Sequence, residues 1–320
     1  MKVLALAITA AACMGSVHAQ TKWDLPSGYG GNTFHVQNLQ SFADEVDKAT
    51  AGKLKITVHP NASLFKANEI KRAVQTGQTQ IGEFILSGAA NENALFGIDA
   101  VPFLATTYAE SKKLNDISNP YLEKLLASQG MKLLYAVPWP GQSLYSKKPV
   151  ATLADLKGTK MRAYNPATTR IAELAGAQPV TIQLAELPQA LATGGVDNFL
   201  TSSASGVDSK LYEQVKYFYD VNAWLPRNAL VVNTKAFESL DKATQAIVVK
   251  AAADASSRGW KTSEQKDNEY LKELAAKGMT VDRSNAKLKA ELKALGDRMT
   301  AEWLAKAGDE GKAIVDAYRK

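Results

Sequence analysis

Cysteine is almost absent from this sequence, which has one, Cys13, in 320 residues. A single cysteine cannot form a disulfide within the chain, so stability must come from a hydrophobic core. The chain also lacks a low-complexity tract, an internal repeat and, beyond its N-terminus, any apolar run near the roughly 20 residues that span a bilayer. Its 46% hydrophobic and 22% charged residues are typical of globular proteins.

The N-terminus has the pattern of a secretory signal. Lys2 precedes an apolar stretch that ends near Met14, and Val17-His18-Ala19 places small residues at the two positions that a signal peptidase reads. We expect residues 1–19 to be removed, Cys13 with them, leaving a mature periplasmic protein that does not insert into the membrane. A lipoprotein interpretation of Cys13 is weaker because Ala10-Ala11-Ala12 lacks the usual leucine.

Catalytic motifs are missing as well. The histidines of the mature chain, His35 and His59, belong to no metal-ligand pattern. No glycine-rich phosphate loop and no G-x-S-x-G motif occurs, and the spacing of the carboxylates singles out no acid–base pair. The sequence therefore predicts no catalytic residue, no metal site and no cofactor, and an exported hydrolase is the weaker alternative.

The positive charge does not point to nucleic acid. Net charge is +6 and falls to +5 once Lys2 is removed. The lysines are scattered over C-terminal helical segments such as "KLKAELKAL" and form no basic arm interleaved with aromatic residues. A solvated helix surface explains them, so no nucleic-acid partner is predicted.

Hydrophobic periodicity predicts two α/β units. Strand-like "TKWDL", "KLKITVHP" and "QIGEFIL" alternate with helical patterns, which favours a parallel sheet with helices on its faces. The second half repeats the scheme with strands in "GMKLLYAVPW", "TKMRAY", "QPVTIQ" and "VDNFLT". From about Asp241 the pattern is mostly helical, with a segment long enough to brace both units.

One charge is oddly placed in this pattern. Arg162 lies in the middle of the strand from Lys160 to Tyr164, and Asn165-Pro166 ends that strand. Ligands of open α/β sheets bind beyond the carboxyl ends of strands. A guanidinium there can hold a carboxylate through two parallel hydrogen bonds. Three residues in strand-to-helix loops are weaker candidates for ligand contact: Tyr29, Asn32 and Ser87.

Four spaced motifs resemble the central signature of the DctP-type solute-binding proteins of TRAP transporters. They are Asp155–Gly158, Lys160–Arg162, Gly176–Pro179 and Gly194–Asp197. The segments "ATAGKLKITVHPNASLF" and "FGIDAVPFLATTYAES" extend the resemblance over essentially the whole mature chain.

The resemblance implies a periplasmic binding protein with two α/β domains, crossing strands and a long bracing helix. It would close on an organic acid anion and deliver it to the TRAP permease. The predicted domains are residues 20–143 with 229–265, and 144–228 with 266–320. In the family the arginine that matches Arg162 pairs with the ligand carboxylate, and an asparagine near Asn165 often lies by the ligand. Asn165 could equally be a turn residue.

Two departures from the family pattern bear on the ligand. Gln142 stands where many members have a second arginine, and Thr201 where many have an asparagine. Trp139 and Trp224 lie near the predicted crossings and could supply flat apolar walls or pack in the core. We therefore expect a branched or aromatic monocarboxylate. A receptor that presents its ligand to a membrane sensor kinase remains an alternative.

Overall fold

The computed structural model describes residues 20–320, so the predicted signal sequence at residues 1–19 lies outside the described residues. The strands are β1 (Thr21–Pro26), β2 (Leu54–His59), β3 (Ile81–Ile85), β4 (Met131–Pro138), β5 (Ser143–Ser146), β6 (Lys160–Ala163), β7 (Gln178–Thr181), β8 (Asn198–Thr201), β9 (Tyr217–Tyr219), β10 (Arg227–Asn233) and β11 (Thr280–Asp282). The helices are α1 (Phe34–Ala49), α2 (Ile70–Gln75), α3 (Tyr108–Ser128), α4 (Pro166–Leu174), α5 (Leu187–Ala192), α6 (Ser203–Asp208), α7 (Thr234–Glu238), α8 (Lys242–Ala276) and α9 (Ala286–Arg319).

Local chemistry accounts for the first helix. Thr33 caps α1 by accepting a hydrogen bond from the Val36 amide at 3.3 Å, an arrangement that satisfies one of the free N–H groups of the first turn. Leu39, Phe42 and Val46 recur at helical spacing and are fully buried. The helix ends shortly before Gly52, whose φ of +78° favours glycine.

The strands of the first unit are confirmed, but the prediction of one parallel sheet there is wrong. β1 and β2 pair in parallel, whereas β3 pairs antiparallel with β10 in a three-stranded sheet of order β3-β10-β4. β10 follows the strands β5 to β9 of the second unit in the chain. The local pattern of "QIGEFIL" gives no information about a pairing partner so far away in the sequence.

The second unit contains a six-stranded sheet of order β11-β9-β5-β8-β6-β7. β6 lies between β7 and β8 and is parallel to both, as the alternation of strands and helices predicted. The strands β6, β7 and β8 therefore end at the same edge of the sheet, which places Arg162 and Thr201 near that edge.

Two segments join the units. The chain passes from β4 to β5 through residues 139–142 and returns from β9 to β10 through residues 220–226. The two segments are hydrogen-bonded to each other, since the Trp139 amide donates to the Pro226 carbonyl and the Gln142 amide donates to the Trp224 carbonyl, both at 2.8 Å. They are the crossings between the units that the family resemblance implied, although the crossing residues 139–142 and 220–226 themselves lie outside the regular strands.

Two long helices brace the units. α8 packs on α1 and β4 and also on α6 and β11, so it touches the three-stranded and the six-stranded sheets. α9 contacts α3 and α4 and contains a kink at Gly308, where φ is +61°. Within residues 20–320, no helix is both long and apolar enough to cross a membrane. The exact domain boundaries stay a prediction.

Candidate ligand-binding site

A cavity of about 550 Å³ lies where the crossing segments meet strand ends from both units. This volume is in the range of sites that enclose small molecules. We call it the central cavity. Six of the nine predicted site residues line it: Tyr29, Trp139, Gln142, Arg162, Asn165 and Thr201.

Arg162 is held rigidly at the wall of the central cavity. Its side chain projects from the middle of β6, and only 3% of the residue is exposed. Nε donates to the carbonyl of Ile182 at 2.8 Å, and Cζ lies 4.9 Å from the centre of the Tyr164 ring. This backbone hydrogen bond and the aromatic contact orient the guanidinium and leave its two terminal nitrogens for another acceptor.

In the described part of the chain, no acidic side chain pairs with the charge of Arg162. Within residues 20–320, no carboxylate oxygen lies within 4 Å of its guanidinium, whereas the other buried arginine, Arg227, pairs with Asp99 at 3.3 Å. Burial lowers the pKa of Arg162 to about 10, so the group is still a cation at pH 7. A buried cation without a partner is costly to maintain, and an anionic ligand would supply the missing charge.

Asn165 connects the two units across the central cavity. Its Oδ1 accepts from the Thr168 amide at 2.8 Å and so caps α4. Its Nδ2 donates to Oγ of Ser87 at 2.9 Å. Ser87 is buried just after β3 and does not line the cavity. The structure therefore gives Asn165 the capping role and a bridging role, with one N–H of its amide still available to a ligand.

Gln142 and Thr201 are both buried at the cavity wall. Gln142 Oε1 accepts from the Tyr164 hydroxyl at 3.1 Å, and its Nε2 donates to the Pro140 carbonyl at 3.2 Å. Thr201 ends β8 opposite Ser143. Where a second arginine was expected from the family pattern, the cavity thus has a neutral amide.

Trp139 belongs to an aromatic wall. Its ring centre lies 5.0 Å from that of Tyr29 and 4.1 Å from that of His35. Its Nε1 and the Tyr29 hydroxyl both donate to Oδ1 of Asn228, at 2.9 and 3.2 Å. Because the polar atoms of both rings are engaged by one buried amide, their faces form a fixed surface.

Two further predicted residues lie outside the cavity lining. Trp224 is 1% exposed and packs in the core of the second unit with Leu144 and Met161. Asn32 is exposed, and its Nδ2 donates to the backbone carbonyl of Asp208 at 3.0 Å, which links the first loop to the end of α6.

Tyr164 and Glu83 are among the cavity-lining side chains that sequence reasoning missed. The Tyr164 ring stacks on the Arg162 guanidinium, and the Tyr164 hydroxyl donates a hydrogen bond to Gln142. Glu83 lies in the middle of β3 and is 3% exposed. A charge inside an otherwise apolar strand was the same signal that drew attention to Arg162, so "QIGEFIL" contained enough information to nominate Glu83.

Comparison with known proteins identifies the class. The model of the DctP family, described as bacterial extracellular solute-binding protein, family 7, matches residues 29–306. This match covers most of the chain, so the protein belongs to that family. It is a binding protein and not an enzyme.

Relatives agree with this assignment. DctP6 of Bordetella pertussis, an extracytoplasmic solute receptor binding pyroglutamic acid, is 53% identical, with a TM-score of 0.92 over 93% of this chain and 99% of that chain. A marine metagenome TRAP solute-binding protein specific for pyroglutamate is 44% identical, with a TM-score of 0.92 over 94% and 99%. A solute-binding protein of Verminephrobacter eiseniae is 30% identical and aligns over 82% of this chain and 79% of its own length.

These comparisons confirm the predicted family, the two-domain periplasmic binding protein fold and the periplasmic location. They do not assign a role to any single side chain, so the ligand contacts named above stay predictions.

Proposed function

We propose that the protein binds a small monocarboxylate with a compact apolar or ring-shaped body in the central cavity. The observation that carries the proposal is Arg162, a buried cation with no carboxylate of residues 20–320 within 4 Å. A ligand carboxylate would accept hydrogen bonds from its terminal nitrogens, and such charge-assisted bonds are about twice as strong as neutral ones.

The rest of the cavity favours a ligand with one carboxylate over a ligand with two. Gln142 is neutral where a second arginine would bind another carboxylate, and its amide is engaged by Tyr164 and Pro140. The faces of Tyr29 and Trp139 offer flat apolar area to a ring. Two relatives, 53% and 44% identical, are described as binding pyroglutamate, a five-membered lactam with a single carboxylate. L-Pyroglutamate is therefore the first ligand that we propose.

Isothermal titration and thermal shift with a panel of organic acids test this proposal. The panel contains L-pyroglutamate, orotate, succinate and L-gulonate, each at matched pH and ionic strength. We expect heat and stabilisation with the ring-bearing monocarboxylates. Stabilisation only by the dicarboxylate or the sugar acid would reject the proposed ligand class and leave the family assignment intact.

We further propose that the loaded receptor delivers its ligand to the membrane permease of a TRAP transporter, as the family implies. Uptake of labelled ligand in a strain that lacks the permease subunits tests this step. Loss of uptake in that strain supports transport. Normal uptake combined with a ligand-dependent transcriptional response would favour a receptor that serves a sensor kinase.

A further inference from the structure

We propose that Glu83 accepts a hydrogen bond from an N–H group of the ligand, so that the receptor selects carboxylates that also carry an N–H. The inference rests on the proposed function, since it concerns the same cavity and needs a ligand whose acid group is held by Arg162. Glu83 lies in the middle of β3, is 3% exposed and lines the central cavity together with Arg162.

The carboxylate of Glu83 is only partly satisfied by the protein. Ser27 Oγ donates to Oε2 at 2.7 Å, and His35 Nδ1 lies 3.4 Å from Oε1. Among residues 20–320, no lysine or arginine nitrogen lies within 4 Å of it. An ionised carboxylate has about four acceptor positions. Glu83 can therefore accept a further hydrogen bond from a donor that enters the cavity. Such a bond is favourable because a buried acceptor without a partner carries a desolvation cost.

Tyr29 lines the central cavity together with Glu83 and Arg162, and both charges act on its hydroxyl. Burial is the main cause that raises the pKa of this phenol, the negative charge of Glu83 raises it further, and the positive charge of Arg162 lowers it. The hydroxyl donates to Asn228 at 3.2 Å and lines the cavity with both charged groups. The wall of the cavity of about 550 Å³ thus contains one buried arginine and one buried glutamate. Its other charged residues are Lys71 and Glu92, which pair with each other, Arg170 and Glu173, which do the same, and Lys306.

This arrangement makes a chemical distinction among acids of the same size. A lactam N–H or an ammonium group can donate to Glu83 while the carboxylate of the same ligand pairs with Arg162. A lactone has an acceptor oxygen in place of the N–H, so it leaves Glu83 without a partner and adds lone-pair repulsion. A second carboxylate near Glu83 would meet a like charge in a site with little water to screen it.

The decisive measurement compares L-pyroglutamate with the lactone in which the ring oxygen replaces the N–H, by isothermal titration on the full mature protein. We expect the wild type to bind the lactam about 10- to 100-fold more tightly, the range for one hydrogen bond to a charged group. Glu83→Gln should reduce this ratio to about threefold or less, because the amide can also donate to the lactone oxygen. Glu45→Gln, the same change at a carboxylate on α1 outside the cavity lining, should leave the ratio unchanged.

Two results would overturn the inference. Equal affinity of the wild type for lactam and lactone would do so without any variant, so the test does not depend on whether Glu83→Gln folds. A folded Glu83→Gln protein that keeps the full preference for the lactam would also do so. If both compounds bind equally and Arg162→Gln abolishes both, the proposed function survives and only the role of Glu83 falls. If neither compound binds the wild type, L-pyroglutamate is rejected as the ligand and the role proposed for Glu83 falls with it, whereas the monocarboxylate class is judged by the panel of organic acids.

Discussion

Replacing Arg162 with glutamine should separate ligand binding from protein stability. Arg162 is 3% exposed, and among residues 20–320 its guanidinium donates a hydrogen bond only to the Ile182 carbonyl. Loss of one partner from a buried, hydrogen-bonded charge pair costs about 2–5 kcal/mol. In Arg162→Gln the partner left behind would be the ligand carboxylate, so Kd should rise about 30-fold to several thousand-fold.

Without ligand, Arg162→Gln should lose no stability. Burial disfavours the charged form of Arg162 and lowers its pKa to about 10, so removal of that cation relieves about 1–3 kcal/mol. Loss of the bond to Ile182 offsets about 1 kcal/mol of this. We therefore expect ligand-free Arg162→Gln to be as stable as the wild type or up to about 2 kcal/mol more stable.

Arg227 provides the matched control because it is equally buried but fully engaged. It pairs with Asp99 and donates to Asn115 and Ser118. Arg227→Gln leaves Asp99 buried without its cation and should cost about 3–5 kcal/mol of stability.

Urea unfolding without ligand and isothermal titration with L-pyroglutamate measure the two effects for both variants. The reasoning is refuted if folded Arg162→Gln binds as tightly as the wild type. It is also refuted if the ligand-free variant loses as much stability as Arg227→Gln, since Arg162 would then be a structural residue.

Two further changes test features outside the cavity lining. Burial raises the pKa of Asp208 to about 7, so its ionisation opposes folding and the free energy of unfolding falls between about pH 4 and pH 7. Because Asp208 is partly exposed, Asp208→Asn should raise the free energy of unfolding by only about 1–2 kcal/mol at pH 8 and not at all at pH 4. Thermal unfolding at both pH values measures this, and an equal effect at pH 8 and pH 4 would contradict the proposed cause. Ser87→Ala removes the bond to Asn165 and should cost about 1 kcal/mol in chemical denaturation, and an unchanged midpoint would show that the bond contributes nothing.

Much of the fold could be predicted because the signals are local. Strand and helix periods in "KLKITVHP" and in the segment that became α8 depend only on neighbouring residues, and these elements formed where expected. The pairing of β3 with β10 could not be predicted in this way. The pairing of two strands far apart in the chain depends on the packing of the whole unit, so the residues of either strand alone do not identify its partner.

The residues of the candidate site also fall into those that the sequence could predict and those that it could not. Arg162 stood out because a charge in the middle of an apolar strand needs a reason. Trp139 and Trp224 were equivalent in the sequence, since each lies near a crossing, yet only Trp139 lines the cavity and Trp224 packs in the core.

The amino-acid sequence by itself determined the export signal pattern, the α/β alternation, the family and the one arginine on which ligand binding should depend. The export signal and the α/β alternation follow from residue type and short-range spacing. The family came from the resemblance of four motifs between Asp155 and Asp197, which also strengthened the case for the arginine. Only the tertiary structure decided that Glu83 shares a cavity with Arg162 and that Asn165 reaches Ser87, 78 residues away. Such contacts arise when strands from two units are brought together by the crossing segments, and their energy depends on burial that no single segment possesses.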